Sequence, residues 1–228
     1  GEHSLNIIQP TKGFRYNSDS FLLYDFVHAL KPKGLLLDVG CGSGIIGLLI
    51  ARDFEMGLVG VDIQAEMVNF AKVNAKNAAI NATFFQTEIE SFKSEIKFDL
   101  IVSNPPFYSG GGPQSKNDSK RIGRYSDNMP LRGFFKAVNS VMHHQGSFIF
   151  CYEAIALLEL CSELALVKMK INRMQFIHKD RSSNARLVLI EAKKYLQGTL
   201  DIVPAFYMDD DLQLTTIREK AGTTSING

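Results

Sequence analysis

The fold of this chain is decided by residues 35–51, which read LLLDVGCGSGIIGLLIA. The first five, Leu35–Val39, have the length and apolar composition of a buried strand, and the apolar run Ile45–Ala51 is typical of a helix packed on such a strand. Between them lie three glycines at alternate positions. Glycine has no side chain and tolerates positive φ, so it permits a sharp turn and a close approach of the backbone to a ligand. The stretch therefore predicts a strand, a ligand-binding turn and a helix.

Outside this stretch, short apolar segments alternate with segments of helical period. Strands are predicted at Leu35–Val39, Leu58–Asp62, Ala82–Gln86, Asp99–Ser103, Ser147–Tyr152, Met174–His178 and Leu187–Ala192. Helices are predicted between most of them, and one with its N-cap at Ser18 precedes the first strand. This alternation is typical of a parallel sheet covered by helices. We therefore predict an α/β fold, a seven-stranded Rossmann-like sheet with helices on both faces and its last strands antiparallel.

The length of 228 residues fits one domain with appendages better than two, because domains commonly have roughly 100–200 residues. We predict a single domain over residues 1–196, in which residues 1–33 form an N-terminal helical or cap segment. Residues 197–228 are predicted to be a C-terminal extension that is partly disordered, since the stretch after Lys220 has few apolar residues. The loop Gly110–Lys120 is also low in apolar residues and is a second candidate for disorder.

The composition excludes several classes of protein. Apolar residues make up 45% of the chain, yet no stretch reaches the roughly 18 consecutive apolar residues of a membrane span. No charged-then-apolar leader is present, so we expect a cytosolic protein. Three cysteines without a C-x-x-C pair are expected to be reduced thiols. The five histidines show no ligand spacing with cysteines or carboxylates, so no metal site is predicted.

The net charge of +1 conceals an uneven distribution along the chain. Residues 116–194 contain 14 Lys and Arg against 7 Asp and Glu, whereas the remaining residues contain 11 basic and 17 acidic side chains. A basic segment on a nearly neutral chain is a possible footprint for a polyanion such as RNA. A solvated surface explains the same charges equally well.

The charge of the glycine turn separates two kinds of ligand. Residues 42–47 satisfy the G-x-G-x-x-G pattern of dinucleotide-binding turns, with Asp62 about 20 residues further on. A dinucleotide would bring an anionic pyrophosphate to this turn, where the Asp38 carboxylate repels it. S-adenosylmethionine (SAM) has no phosphate and brings a sulfonium and an ammonium group, which Asp38 attracts. The turn therefore favours SAM over a dinucleotide.

Two further carboxylates suit the rest of that cofactor. Asp62 ends the second predicted strand, and its two oxygens suit a bidentate hydrogen bond to both ribose hydroxyls. Glu88 follows the third strand and is placed to accept a hydrogen bond from the adenine amino group, with Ile89 against the ring. The predicted cofactor-binding residues are Asp38, Gly40, Cys41, Gly42, Gly44, Asp62, Ile63, Glu88, Ile89 and Asn104.

The tetrapeptide Asn104-Pro105-Pro106-Phe107 ends the fourth predicted strand and suits transfer to a planar nitrogen. Two prolines fix φ, so the carbonyl groups of Asn104 and Pro105 project with little freedom. An exocyclic amine is a poor nucleophile because its lone pair is delocalised into the ring. If the Asn104 side-chain oxygen and the Pro105 carbonyl accept its two N–H groups, the nitrogen becomes more tetrahedral and nucleophilic. Phe107 is predicted to stack on the target ring.

These two motifs, in this order, resemble the amino-methylating branch of class I SAM-dependent methyltransferases. The resemblance runs from about Gln9 to Lys194 and implies a ribose ligand at Asp62, an adenine contact at Glu88 and a catalytic tetrapeptide at Asn104–Phe107. Within that branch the chain is similar to bacterial tRNA1(Val) adenine-37 N6-methyltransferases, on its length, the segment Gly13–Ser20 and Phe107 after the two prolines. Glu88, where Asp is more usual, and the Ser-Gly-Gly-Gly loop depart from that pattern.

The resemblance leaves alternative acceptors open. Ribosomal RNA guanine-N2 methyltransferases use the same tetrapeptide, although many have an additional domain. Release-factor glutamine methyltransferases usually have Tyr in place of Phe107 and a separate helical N-terminal domain, for which the roughly 34 residues before the first predicted strand are too few. An RNA-binding subunit that keeps the SAM fold without activity is the non-enzyme alternative, and the intact tetrapeptide disfavours it. We therefore expect N6-adenine methylation of tRNA or another structured RNA.

Two basic loops are candidates for the RNA contact. Both are predicted to lie at the carboxyl ends of strands, where α/β sheets bind ligands. The first follows the catalytic tetrapeptide and contains Lys116, Lys120, Arg121 and Arg124, with Arg132 next along the chain. The second joins the last two predicted strands and contains Lys179, Arg181 and Arg186. We expect these side chains to hold phosphates around an extruded base.

Overall fold

The computed structural model of the chain describes residues 4–10, 18–105, 131–194 and 198–227. Its strands are β1 Leu5–Gln9, β2 Leu35–Val39, β3 Gly57–Asp62, β4 Ala82–Gln86, β5 Phe98–Ser103, β6 Met142–Glu153, β7 Met169–His178, β8 Ala185–Lys194, β9 Asp201–Tyr207 and β10 Thr223–Asn227. Its helices are α1 Ser18–His28, α2 Ile45–Phe54, α3 Ala65–Asn77, α4 Leu131–Val141, α5 Leu157–Leu166 and α6 Asp211–Ala221, with a short 3₁₀ turn at Ala154–Ala156 before α5.

The main sheet has eight strands in the order β4-β3-β2-β5-β6-β8-β7-β9. All neighbouring pairs are parallel except the two that involve β8, which runs antiparallel to β6 and to β7. The α/β prediction and its antiparallel strand near the end of the chain are confirmed. Across the sheet, the strand numbers fall from β4 to β2 and then rise from β2 to β5. Sheets of this kind open a ligand crevice where the strand order reverses.

The eighth strand, β9, lies beyond the seven that the sequence predicts. Residues 201–207 pair in parallel with β7 from Arg173↔Asp201 to His178↔Tyr207, with a register shift near the middle. Pro204 lies inside this strand and removes one backbone donor, which an edge strand tolerates because its outer side needs no partner. That proline hides the strand in the sequence. The predicted count of seven strands is therefore one too low.

The two ends of the described chain pair with each other in a second, smaller sheet. Strand β1 runs parallel to β10, from Leu5↔Thr223 to Gln9↔Asn227. The side chain of Asn74, fully buried on α3, accepts from the Ile8 N–H and donates to the Ile8 carbonyl, both at 2.8 Å. The segment 1–33 therefore contains a strand as well as a helix. Beyond residue 196, regular strands and a helix replace the predicted partly disordered extension, and the boundary at 196 itself stays a prediction.

The core lies on both faces of the main sheet, as the sequence predicts. On one face the apolar residues of α1, α2, α3 and α6 pack together, and α2 is buried from Ile45 to Ala51. On the other face α4 presents Leu131, Phe134, Phe135, Val138 and Val141, spaced at helical period, to Phe148 and Phe150 of β6. Within the four described ranges, no helix is long and apolar enough to cross a bilayer.

Strand β3 fits against its neighbours only because Gly60 has no side chain. A Cβ built there would lie 2.4 and 2.6 Å from ring carbons of Phe84 on β4, and 3.1 Å from Cys41 Sγ in the glycine turn. Phe84 is buried, with 4% of its surface exposed, so its ring has little room to move away. Gly57, in the same strand, would meet only Leu35 Cδ2, the end of a flexible and half-buried side chain, at 2.8 Å.

This contrast predicts unequal costs for two equivalent substitutions. Gly60→Ala is expected to lower the free energy of unfolding by about 1–3 kcal/mol, the usual cost of overpacking a core. Gly57→Ala should cost much less, because Leu35 can change rotamer. Urea unfolding of the two variants and of the parent chain measures the difference. Equal losses would show that the Phe84 ring does not limit the packing.

Candidate active site

The glycine turn joins β2 to α2 and is fastened to the end of β3. The backbone N–H groups of Gly40 and Cys41 both donate to the Val61 carbonyl, at 2.8 and 3.0 Å. Gly40, Gly42 and Gly44 have φ of +67°, +53° and +86°, the left-handed region that side chains disfavour. A Cβ built at Gly40 or Gly42 would meet nothing within 4 Å. The outer side of the turn is therefore bare backbone, open to a ligand.

Asp62, at the end of β3, holds the turn through backbone hydrogen bonds. Its Oδ2 accepts from the Gly42 N–H and its Oδ1 from the Gln64 N–H, both at 2.9 Å. Each carboxylate oxygen has a second lone pair, so both oxygens keep the capacity to accept a hydroxyl. Ile63 follows with 61% of its surface exposed and is available to contact a bound ring.

The residues after β4 divide between surface and core. Glu88 is exposed, and its carbonyl accepts the Ser91 and Phe92 N–H groups in a short turn. Ile89 is only 6% exposed and packs in the core with Val39 and Val61. The exposed Glu88 is thus available to a ligand, whereas Ile89 supports the floor of the site.

Asp38 is a buried carboxylate directly beneath the turn. Only 1% of its surface is exposed, and its Oδ2 accepts the Gly47 N–H of α2 at 2.9 Å. The pKa of Asp38 is raised to about 7, chiefly by burial and to a smaller extent by the Asp62 charge, while the Gly47 hydrogen bond acts in the opposite direction. No cationic side chain pairs with Asp38 or Asp62 in the described residues. Two neighbouring carboxylates without a cation suit a positively charged ligand.

The pairing of β2 with β5 places Asn104 beside the turn. Val39 is the register partner of Ser103, and the Ser103 hydroxyl donates to the Val39 carbonyl at 2.9 Å. The next residues of the two strands are Gly40 and Asn104, so the turn and the Asn104 carboxamide leave the sheet side by side. Asn104 is half-buried and Pro105 is buried. Pro106 and Phe107 lie outside the described residues, and their roles stay predictions.

The start of α1 makes two contacts with this region that the sequence did not reveal. Ser20 Oγ accepts a hydrogen bond from Asn104 Nδ2 at 3.3 Å. Asp19 Oδ1 and Oδ2 accept from the two terminal nitrogens of Arg186, at 2.5 and 3.4 Å. In the sequence, Asp19 and Ser20 indicate only the start of a helix and the end of the segment Gly13–Ser20. Their contacts join residues more than 80 positions apart, which local patterns do not report.

The predicted RNA-binding side chains have different surroundings. Arg186 donates both of its terminal nitrogens to Asp19, and these are the groups that would bind a phosphate. Arg132 is paired with Glu163 through hydrogen bonds of 2.8 and 3.0 Å. Lys179 and Arg181 are exposed in the loop between β7 and β8, and the Arg181 guanidinium lies 4.6 Å from the centre of the Tyr207 ring. The residues Lys116, Lys120, Arg121 and Arg124 lie outside the described part of the chain.

These features fit SAM. The bare backbone at Gly40 and Gly42 leaves room for it, the paired carboxylates Asp38 and Asp62 suit its positive charge and its ribose, and Ile63 offers an exposed apolar surface. By contrast, no group of three or more metal-binding side chains occurs among the residues with a described position.

Comparison with known proteins gives the same class. Residues 17–123 match a family model described as the methyltransferase small domain. The tRNA1(Val) (adenine(37)-N6)-methyltransferase of Flavobacterium psychrophilum is 28% identical over 206 residues, which cover 87% of this chain and 88% of that enzyme. The release factor glutamine methyltransferase of Aliivibrio fischeri is 32% identical over 125 residues, covering 54% of this chain and 44% of that enzyme.

A solved structure shows the same fold. The 16S rRNA N2 G1207 methyltransferase of T. thermophilus, in complex with AdoMet and guanosine, matches with a TM-score of 0.57 and 18% identity. The match covers 81% of this chain and 45% of that one. Fold, site and comparisons together define a class I SAM-dependent methyltransferase. Within that class, residues 17–123 are similar to the methyltransferase small domain.

The raised pKa of Asp38 predicts that the affinity for SAM falls as the pH is lowered. The carboxylate attracts the cofactor's positive charge only when it is ionised, and it takes up a proton as the pH falls through about 7. If SAM binds only the ionised form, Kd should rise about tenfold between pH 8 and pH 6. Isothermal titration calorimetry across this range measures the slope.

The Asp38→Asn variant is the matched control. Its side-chain oxygen can still accept the Gly47 N–H, but it has no titratable charge. We expect weaker binding of SAM at pH 8 and little change down to pH 6. An equal slope in both proteins would assign the pH dependence to another group, such as the α-amino group of SAM.

Proposed function

We propose that this methyltransferase acts on the N6 atom of an adenine in tRNA. The observation that supports the proposal most directly is the β2–β5 register, which sets Asn104 and Pro105 beside the glycine turn. A cofactor held on the turn and an acceptor held on Asn104-Pro105 would meet at the carboxyl edge of the sheet. This edge is also where α/β sheets bind their ligands.

The chemistry follows from the acceptors at the end of β5. SAM supplies an electrophilic methyl group. The Asn104 carboxamide oxygen and the Pro105 carbonyl accept the two N–H groups of the adenine amine, which turns its lone pair away from the ring. Fixed acceptors of this kind need no reorganisation during the reaction, which is the main source of their catalytic effect. No strong base is required, because the proton on the nitrogen becomes acidic once the methyl group is transferred.

Adenine in tRNA is favoured over other acceptors by the share of each relative's length that aligns with this chain. The F. psychrophilum enzyme aligns over 88% of its length, whereas the chain spans less than half of the release-factor and ribosomal RNA enzymes. Guanine N2 and glutamine amide nitrogens are also planar and suit the same pair of acceptors. They remain the alternative substrates. A cytosolic location agrees with a tRNA substrate and stays a prediction.

The loop between β7 and β8 is the described surface that suits RNA. Strands β7 and β9 run parallel to β5, so this loop and Tyr207 lie at the same edge of the sheet as Asn104. Asp180 uses its carboxylate on Ser182 and Ser183, and these hydrogen bonds lower its pKa to about 2. Lys179 and Arg181 have no ion pair among the described residues. They are therefore free to meet phosphates, which bind RNA with little regard to sequence.

The acceptor is tested by methylating total RNA and total protein from cells that lack the gene for this chain. Labelled SAM and nucleoside mass spectrometry should reveal new N6-methyladenosine confined to the tRNA fraction. Asn104→Ala should lower kcat by about 100-fold or more, the usual effect of removing one preorganised hydrogen-bonding group, while Kd for SAM changes little. Label in N2-methylguanosine or in a release factor would instead support one of the alternatives.

The RNA surface is tested by reversing charge at one end of β7. We expect the double variant Lys179→Glu with Arg181→Glu to raise KM for tRNA at least tenfold at low salt, and the difference from the parent to shrink as salt increases. The matched control is Lys168→Glu with Lys170→Glu, at the opposite end of the same strand. Equal effects of the two pairs would mean that the protein's total charge, rather than this loop, governs binding.

A further inference from the structure

We propose that Ser20 positions the carboxamide of Asn104, and that the Asp19–Arg186 ion pair fixes Ser20 for this task. The inference rests on the proposed role of Asn104 in binding the target amine. It goes beyond that role because it assigns the orientation of Asn104 to residues of α1 and β8, outside both sequence motifs.

The orientation of the Asn104 carboxamide decides which of its two ends faces the substrate. A carboxamide has an NH2 donor on one side and an oxygen acceptor on the other. Asn104 Nδ2 donates to Ser20 Oγ at 3.3 Å, and Asn104 Oδ1 has no hydrogen-bond partner among the described residues. With its NH2 group held by α1, Asn104 offers its oxygen to the adenine amine. If the carboxamide flipped, its NH2 group would face the N–H groups of the substrate, and one acceptor would be lost.

Burial and a neighbouring ion pair hold Ser20 in place. Ser20 is buried, with 3% of its surface exposed, and the neighbouring Asp19 side chain is 6% exposed. The Asp19 carboxylate takes both terminal nitrogens of Arg186, a two-point contact that fixes orientation as well as distance. Arg186 is the second residue of β8, so the pair ties the first turn of α1 to the carboxyl edge of the sheet. The first turn of α1 thus contacts Asn104, directly after β5, through Ser20, and it contacts β8 through Asp19.

The two partners of the ion pair, Arg186 and Asp19, differ in their exposure to solvent. Arg186 is 47% exposed, whereas Asp19 is nearly buried. Removing the arginine takes a charged partner away from this nearly buried carboxylate, which raises the cost of keeping the charge in place. The start of α1 should therefore shift when Arg186 is truncated, and Ser20 should move away from Asn104 with it. Arg186 then acts on the reaction from within the protein rather than through RNA phosphate.

The test measures kcat and KM separately, with tRNA from the deletion strain as the acceptor. Ser20→Ala should lower kcat about tenfold and leave KM for tRNA and Kd for SAM within twofold of the parent. Ser20→Thr keeps a hydroxyl and should recover most of the rate. Arg186→Ala should lower kcat in the same way. A rise in KM for tRNA with unchanged kcat would instead make Arg186 an RNA contact and overturn its positioning role.

A matched control separates positioning from general stability. Ser147→Ala also removes a partly buried serine hydroxyl, which donates to Glu191 at 2.7 Å near the middle of β6, three residues before Phe150, the register partner of Ser103. This variant should lose thermal stability without losing kcat. If Ser20→Ala has the kcat of the parent chain, or if Ser20→Thr is as slow as Ser20→Ala at equal thermal stability, the proposal is wrong.

A second substitution tests orientation itself. A carboxylate presents an oxygen whichever way it is turned, so removing the Ser20 hydroxyl should matter less in an Asn104→Asp background. An equal loss in both backgrounds would mean that Ser20 only packs the helix. Failure of this proposal can be distinguished from failure of the proposed function. If Asn104→Ala keeps full activity, the catalytic role of Asn104 fails, whereas an inactive Asn104→Ala beside a fully active Ser20→Ala removes only the positioning role.

Discussion

The register between β2 and β5 is the constraint on which the rest of the site depends. Val39 pairs with Ser103, and the Ser103 hydroxyl closes on the Val39 carbonyl at 2.9 Å. One residue later, the two strands release the glycine turn and Asn104. Because side chains alternate along a strand, a slip by a single residue would turn each of them to the opposite face. The meeting of cofactor turn and acceptor group is thus a property of strand pairing rather than of either motif alone.

The turn itself is held by charge as much as by shape. Asp38 and Asp62 are both nearly buried, and each accepts a backbone N–H, from Gly47 and Gly42 respectively. Burial raises the pKa of Asp38, and repulsion by the neighbouring Asp62 charge adds to that effect. A cationic ligand relieves that repulsion. The same pair of buried carboxylates therefore makes the turn suitable for SAM.

Parts of the chain that carry no motif hold the site in place. Asn74 on α3 donates to the Ser43 carbonyl in the turn while it binds both backbone groups of Ile8. The sheet of β1 and β10 thus contacts the cofactor loop through one buried side chain. From the same face of the sheet, α1 reaches Asn104 through Ser20. Arg52 of α2 donates to the Ala221 carbonyl at the end of α6, so residues from both ends of the chain brace the same half of the sheet.

The sequence by itself determined the class of fold, the position of the turn and the identity of the central strands. Strands β2 and β4 have the predicted bounds, and β3 and β5 differ by one residue at the start, because continuous apolar runs bounded by glycine, proline and polar residues are strong local signals. The residues that follow those strands, Asp38 to Gly44, Asp62 and Asn104, could be chosen for the same reason. Carboxyl ends of parallel strands must meet at one edge.

Only the tertiary structure decided which residues lie beside the central strands and the residues that follow them. Strand β9, interrupted by Pro204, becomes a strand because β7 offers an open edge, and β1 forms because β10 and Asn74 satisfy its backbone groups. In the sequence, Arg186 is a basic residue of the same loop region as Lys179 and Arg181. In the structure, however, Arg186 forms an ion pair with Asp19, which is 167 positions away. The Ser20–Asn104 hydrogen bond spans 84 positions. Such partners are set by how helices pack on the sheet, and no local pattern of residues encodes that packing.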